Sequence, residues 1–93
     1  MYERILRKMR GKIRSREYVM TTHADEEMWE DGLAIEDIEN TILTGEIVAR
    51  QEDRYSDQWK YLVRGESLDS RPVVAVAKIG YTSELVIITV YLA

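Results

Sequence analysis

His23 is the only histidine in the chain, and Glu26 and Glu27 follow it at three and four residues. On a helix these side chains share one face, which sets an imidazole beside a carboxylate. Such a pair can serve as a general acid or base, and it can contribute to a metal site. A first-turn histidine that steadies the start of a helix by hydrogen bonding explains the same residue equally simply. A metal set would need further ligands, and the chain has no second histidine and no cysteine. No glycine-rich phosphate loop, paired-aspartate nuclease signature or Ser-His-Asp order is present, so neither a metal nor another cofactor is expected.

A second group of candidates alternates along the C-terminal half. Trp59, Tyr61 and Val63 alternate with Lys60, Leu62 and Arg64, the period of a half-buried strand. With the aromatic set turned inward, Lys60 and Arg64 point from the opposite, open face. In the last apolar run Thr89 and Tyr91 share one side, and Val86, Ile88, Val90 and Leu92 share the other. If the fully apolar set is the core, Thr89 and Tyr91 join Lys60 and Arg64, with Lys78 as a further member. Cations interleaved with an aromatic hydroxyl suit a phosphate backbone and a stacked base. A solvated sheet face carries the same residue types to discourage edge-to-edge association.

Positioning these groups requires helices first and strands afterwards. Tyr2, Ile5, Met9 and Ile13 recur at helical spacing and predict an amphipathic helix over 2–14. Thr22 is the expected N-cap of a helix over 23–31, with Ala24 and Met28 inward and Gly32 at its close. Ile35, Ile38, Ile42 and Leu43 predict a third helix over 35–44, with Glu36 and Asp37 at its positive end. The period then changes to two, predicting strands over 46–50, 58–65, 72–79 and 84–92. The expected fold is a single α+β domain over 1–93: N-terminal helices packed on one face of an antiparallel sheet of three or four strands.

Composition narrows the function classes. With 45% hydrophobic and 32% charged residues the chain is a globular one. Its apolar run from Leu85 to Val90 is far short of the ~20 residues that span a bilayer. The absence of cysteine and of an apolar leader points to the cytoplasm and away from a membrane. A core of this size leaves room for a second copy or another protein as partner, a homodimer included. The net charge of −4 hides an uneven layout. Residues 1–16 hold seven bases and one acid, residues 17–49 hold ten acids and no Lys or Arg, and residues 50–93 balance six against six. A basic arm beside an acidic middle suits nucleic acid or a charged partner, while the acidic total argues against a general nucleic-acid binder.

The stretch from His23 to Glu39, His-Ala-Asp-Glu-Glu-Met-Trp-Glu-Asp-Gly-Leu-Ala-Ile-Glu-Asp-Ile-Glu, resembles the family catalogued as domain of unknown function 4258. That family reads His-Ala-x-Glu-Arg-Met-x-Glu-Arg-Gly-Ile-Ser-x-Glu-Asp-Ile. The likeness continues through Gly45-Glu46-Ile47, Tyr61-Leu62-Val63, Arg71-Pro72 and Ile88-Thr89-Val90-Tyr91. The resemblance implies a fold similar to the RelE and ParE group of small ribonuclease-type toxins, paired with a small antitoxin, for instance a zinc-ribbon protein resembling the YgiT type. The matching positions are His23, Glu26, Tyr61, Arg71, Thr89 and Tyr91. Glu27 and Asp31 stand where the family has arginines, Ala34 where it has serine, and Val73-Val74-Ala75 where a histidine often follows Arg-Pro.

The leading expectation is therefore a toxin of a type II toxin–antitoxin pair that cleaves RNA without a metal. His23, Lys60, Arg64 and Tyr91 are the expected catalytic residues, and Tyr61, Arg71, Lys78 and Thr89 the expected substrate contacts. The other expectation is a non-catalytic module that docks a basic protein on its acidic helices.

Overall fold

The computed structural model describes residues 1–93, arranged as three helices against a five-stranded sheet. The helices are α1 (Glu3–Arg14), α2 (Thr22–Glu30) and α3 (Ile35–Thr44). The strands are β1 (Tyr18–Met20), β2 (Glu46–Glu52), β3 (Trp59–Glu66), β4 (Pro72–Ile79) and β5 (Leu85–Leu92), in the spatial order β1-β5-β4-β3-β2. Four strands form the expected antiparallel meander. The fifth corrects the expectation of three or four: β1 pairs in parallel with β5, Val19 opposite Val86, making the sheet mixed. Tyr18–Met20 is too short to carry an alternation of its own, and its partner lies far along the chain.

All three helices pack on one face. Met9 and Ile13 of α1, Ala24 and Met28 of α2, and Ile38 and Ile42 of α3 are buried with Val63, Val73, Ala75, Ala77, Leu85, Ile87 and Val90 in one core. The helix ends are secured from outside the helices. Arg10 donates from Nε to the Ile42 carbonyl at 3.1 Å and from Nη2 to the Gly45 carbonyl at 2.6 Å. It thereby satisfies orphan acceptors at the end of α3, whose last turn has no base of its own. The N-cap of α2 is Thr21, one residue before the expected Thr22: its hydroxyl accepts from the Ala24 amide at 3.1 Å and donates to the Ile88 carbonyl at 2.9 Å. One side chain thus starts α2 and pins it to β5. Ala34 offers no side-chain cap for α3, and the Asp37 carboxylate accepts from the Ala34 amide at 2.8 Å and from the Leu68 amide at 2.9 Å. Where α3 crosses β3, a Cβ on Gly65 would stand 2.3 Å from the Thr41 carbonyl oxygen, so only glycine permits that approach.

Two β-bulges decide which side chains face away from the helices. On β2, Ile47 pairs with Val63 and Ala49 with Leu62, leaving Val48 as the extra residue. On β5, Ile87 pairs with Ala77 and Thr89 with Val76, leaving Ile88 as the extra residue. The expected inward set Val86, Ile88, Val90 and Leu92 is replaced by Leu85, Ile87 and Val90. The bulge shifts the alternation by one position, so Val90 is buried while Thr89 and Tyr91 keep the open face.

Candidate functional site

The open face follows from strand register. Tyr91 pairs with Val74, Val74 with Arg64 and Arg64 with Glu46, one row across four strands. Thr89, Val76, Leu62 and Ala49 form the next row, and Lys78 with Val86 and Val19 lies beyond it. Lys60, opposite Gln51, projects to the same side by alternation with Tyr61. The structure therefore brings Lys60, Arg64, Thr89 and Tyr91 to one face. Lys60 and Thr89 are half-buried, Arg64 is exposed, and Tyr91 is 39% exposed. Neither Lys60 nor Arg64 forms an ion pair. The centre of this face is aliphatic: Val74 and Val76 are buried by their neighbours although no helix covers them.

Lys78 shares the face but is not free. Its Nζ bonds Asp53 Oδ2 at 2.6 Å, and Asp53 also accepts from the Tyr55 amide at 3.2 Å and the Ser56 hydroxyl at 3.0 Å. The Lys78 hydrogen bond outweighs the opposing effect of burial and holds the Asp53 carboxyl down at about 2. Lys78 is thus a structural anchor for the loop between β2 and β3. Two other expected contacts also lie elsewhere. Tyr61 faces the helices, its ring edge-on to Tyr2 with centroids 5.8 Å apart. Arg71 precedes β4 and reaches the helix side, bonding Asp69 at 3.0 Å and the carbonyls of Asp31 and Gly32 at 3.4 Å. The hydroxyl of Ser67 and then Arg71 hold the Asp69 carboxyl below its ordinary value.

His23 sits in the first turn of α2, exposed, with Nε2 3.3 Å from Glu27 Oε1. The same Glu27 oxygen accepts from the Val90 amide at 3.1 Å, beyond the end of β1, where that edge of β5 has no strand beside it. Glu27 therefore ties His23 to the β5 edge at the residue between Thr89 and Tyr91. The spacing of His23 and Glu27 was readable as a helical pair, but the strand amide that orients the carboxylate carried no sequence signal. Asp53, the partner of Lys78, was equally silent. A further unforeseen pair, Arg50 stacked 4.0 Å above the Trp59 ring, lies by register on the helix side at the β2 edge.

Residues 20–92, from the end of β1 to the last residue of β5, match the family described as a domain of unknown function, DUF4258. The chain belongs to that family. No curated protein and no solved structure matches it. The DUF4258 match leaves α1 outside and takes in the His23 helix and the whole β2–β5 meander. Within it, the Glu27 carboxylate serves His23 and the Val90 amide. No helix of the chain is long and apolar enough to cross a membrane.

Proposed function

We propose that this DUF4258 chain is the toxin-like member of a type II toxin–antitoxin pair, a cytoplasmic, metal-independent endoribonuclease with a RelE/ParE-like fold, held in check by a small antitoxin such as a zinc-ribbon protein. The observation that carries the reading is the convergence of Arg64, Thr89 and Tyr91 on one sheet face with a His23–Glu27 pair bound to the adjoining β5 edge. RNA would lie across that face, its phosphates toward Lys60 and Arg64 and a base against Tyr91. With Nε2 of His23 3.3 Å from Glu27, the nitrogen left for the substrate is Nδ1. It would take the ribose 2′-hydroxyl proton as O2′ attacks phosphorus. The P–O5′ bond then breaks, O5′ takes a proton from water while His23 returns its own to the solvent, and the products are a 2′,3′-cyclic phosphate and a 5′-hydroxyl. Arg64 and Lys60 would stabilise the charge that develops on the phosphorane oxygens.

The test is incubation of purified protein with RNA in EDTA. The reading requires cleavage with cyclic-phosphate ends, lost in a folded His23→Ala variant. Intact RNA, or cleavage that survives that substitution, would remove the assignment.

A second reading has its own support. Asp25, Glu26, Glu30 and Glu36 are exposed on α2 and α3 with no cation within ion-pair distance, and Glu27 and Asp31 replace two family arginines there. On this reading the chain is a non-catalytic module whose acidic helices bind a basic protein.

A further inference from the structure

We infer that the corner between α2 and α3 is a docking groove for a partner segment that carries bulky aliphatic side chains flanked by Lys or Arg. This sharpens the second reading above and stands whether or not the sheet face cleaves RNA. The groove encloses about 510 Å³ and is walled by Met28, Trp29, Leu33, Ala34, Ile35 and Glu36. Its floor belongs to the core, since Met28 and Leu33 are buried, while Trp29 stands 76% exposed at its lip. An indole so exposed on a nine-residue helix buries little of its area within this chain, and a large aromatic beside an apolar recess is a common anchor of protein interfaces.

Charge selects the occupant. Asp25 and Glu26 precede Trp29 by four and three residues and so share its helix face, Glu30 follows it, and Glu36 lines the recess. All four are exposed and none has a cation partner. Of the other acids nearby, Glu39 is engaged with Tyr18 and Arg16 and Asp37 with two backbone amides, while the Asp31 carboxylate has no cation partner. The neighbouring cation, Arg71, is held by Asp69 and by carbonyls at the end of α2. The recess is thus apolar, with the unpaired Glu36 in its wall and the unpaired Asp25, Glu26 and Glu30 on the adjoining surface of α2. It excludes polyanions and favours a cationic amphipathic segment. The chain's own α1 is basic but buries its apolar stripe in its own core, so a second copy would offer cations without anchors.

Titration with an 18-residue Leu/Lys peptide of helical periodicity tests this, with Leu/Glu and Ser/Lys peptides as controls. Calorimetry gives affinity, and Trp29 emission in the Trp59→Phe chain reports the site. The Leu/Lys peptide should bind with a blue shift of Trp29, and both controls should bind at least about tenfold more weakly. Trp29→Ala and Glu30→Lys/Glu36→Lys should each cost about tenfold, whereas Glu3→Lys/Glu84→Lys should not. Comparable binding of either control peptide, affinity unchanged in folded Trp29→Ala, or Trp29 already shielded in a dimer of the free chain would overturn the proposal. RNA cleavage that depends on His23 would leave it untouched.

Discussion

Lys78 and Asp53 meet at 2.6 Å with 16% and 7% of their side chains exposed, whereas His23 and Glu27 stand 3.3 Å apart with 66% and 24% exposed. Both pairs adjoin the open sheet face, yet only the second leaves a group free to act. Asp53 is saturated by Lys78, Ser56 and the Tyr55 amide, and the pair closes a loop over the sheet. Glu27 spends its carboxylate on a strand amide and an exposed imidazole. What separates a structural charge from an available one is thus the number of its partners and its access to water, not its position on the face. By that criterion Lys78 and Arg71 are committed, and Lys60 and Arg64 remain for a ligand.

The largest effect should come from breaking the buried pair. Lys78→Met would leave the Asp53 carboxylate partly buried without its cation, a loss of about 3 kcal/mol in urea or thermal unfolding. His23→Ala should stay within about 0.5 kcal/mol, because an exposed imidazole has little to lose. Equal losses in the two variants would erase the distinction.

Acid unfolding sharpens the same contrast. Asp53 is held at about 2 against an ordinary value of 3.8, so its ionised form is favoured in the folded state. Its contribution to stability is complete above the unfolded value and is lost as pH falls from near 4 through about 2. Asp53→Asn should therefore narrow the stability gap to the parent chain steadily across that window. A gap that is constant between pH 5 and 2 would mean that the Lys78 contact does not depend on charge.

The parts legible in the sequence were those with an unbroken period. Met9 and Ile13 on α1, and Ile38 and Ile42 on α3, repeat at helical spacing and are buried. Trp59-Tyr61-Val63 alternate, and the helix-side placement of Tyr61 and Val63 follows. The misses occur where one residue interrupts the period or where a partner is remote. Ile88 is an extra residue in β5, so counting by twos from Val90 put Val86 and Ile88 inward in place of Leu85 and Ile87. That the open-face position of Thr89 and Tyr91 nevertheless follows from the count reflects the bulge lying on their N-terminal side. Strand β1 pairs with a strand at the other end of the chain, and Lys78 takes its counter-ion from a loop 25 residues away. Neither relation leaves a local pattern.

The free cations should reveal themselves through salt. Each phosphate neutralised by Lys or Arg releases condensed counterions, lowering log affinity by about 0.7 per tenfold rise in salt on a single strand. Lys60→Ala/Arg64→Ala should weaken RNA binding and flatten that dependence by up to about 1.4 in slope. Lys78→Ala, in the fraction that remains folded, should leave the slope unchanged because its charge is already spent on Asp53. A slope that responds to Lys78 and not to Lys60 or Arg64 would invert the sorting of committed from available cations.

Tyr91 provides the smallest and finest test. It shares its row with Val74 and Arg64, is 39% exposed, and makes no hydrogen bond through its hydroxyl, so its ring is available above the aliphatic centre of the face. Tyr91→Phe keeps the ring and removes only the hydroxyl. If the ring stacks on a base, this variant should hold RNA affinity within about twofold, while Tyr91→Ala should lose about 1 to 3 kcal/mol of binding. The hydroxyl matters separately if it serves the phosphate during cleavage, in which case Tyr91→Phe lowers turnover while sparing affinity. Packing against Val74 would also make Tyr91→Ala less stable, so the unfolding transition must be measured beside binding. An affinity that falls only in parallel with stability would make Tyr91 a cover for Val74 and Val76, and the open face a shielded sheet surface with no nucleic acid to hold.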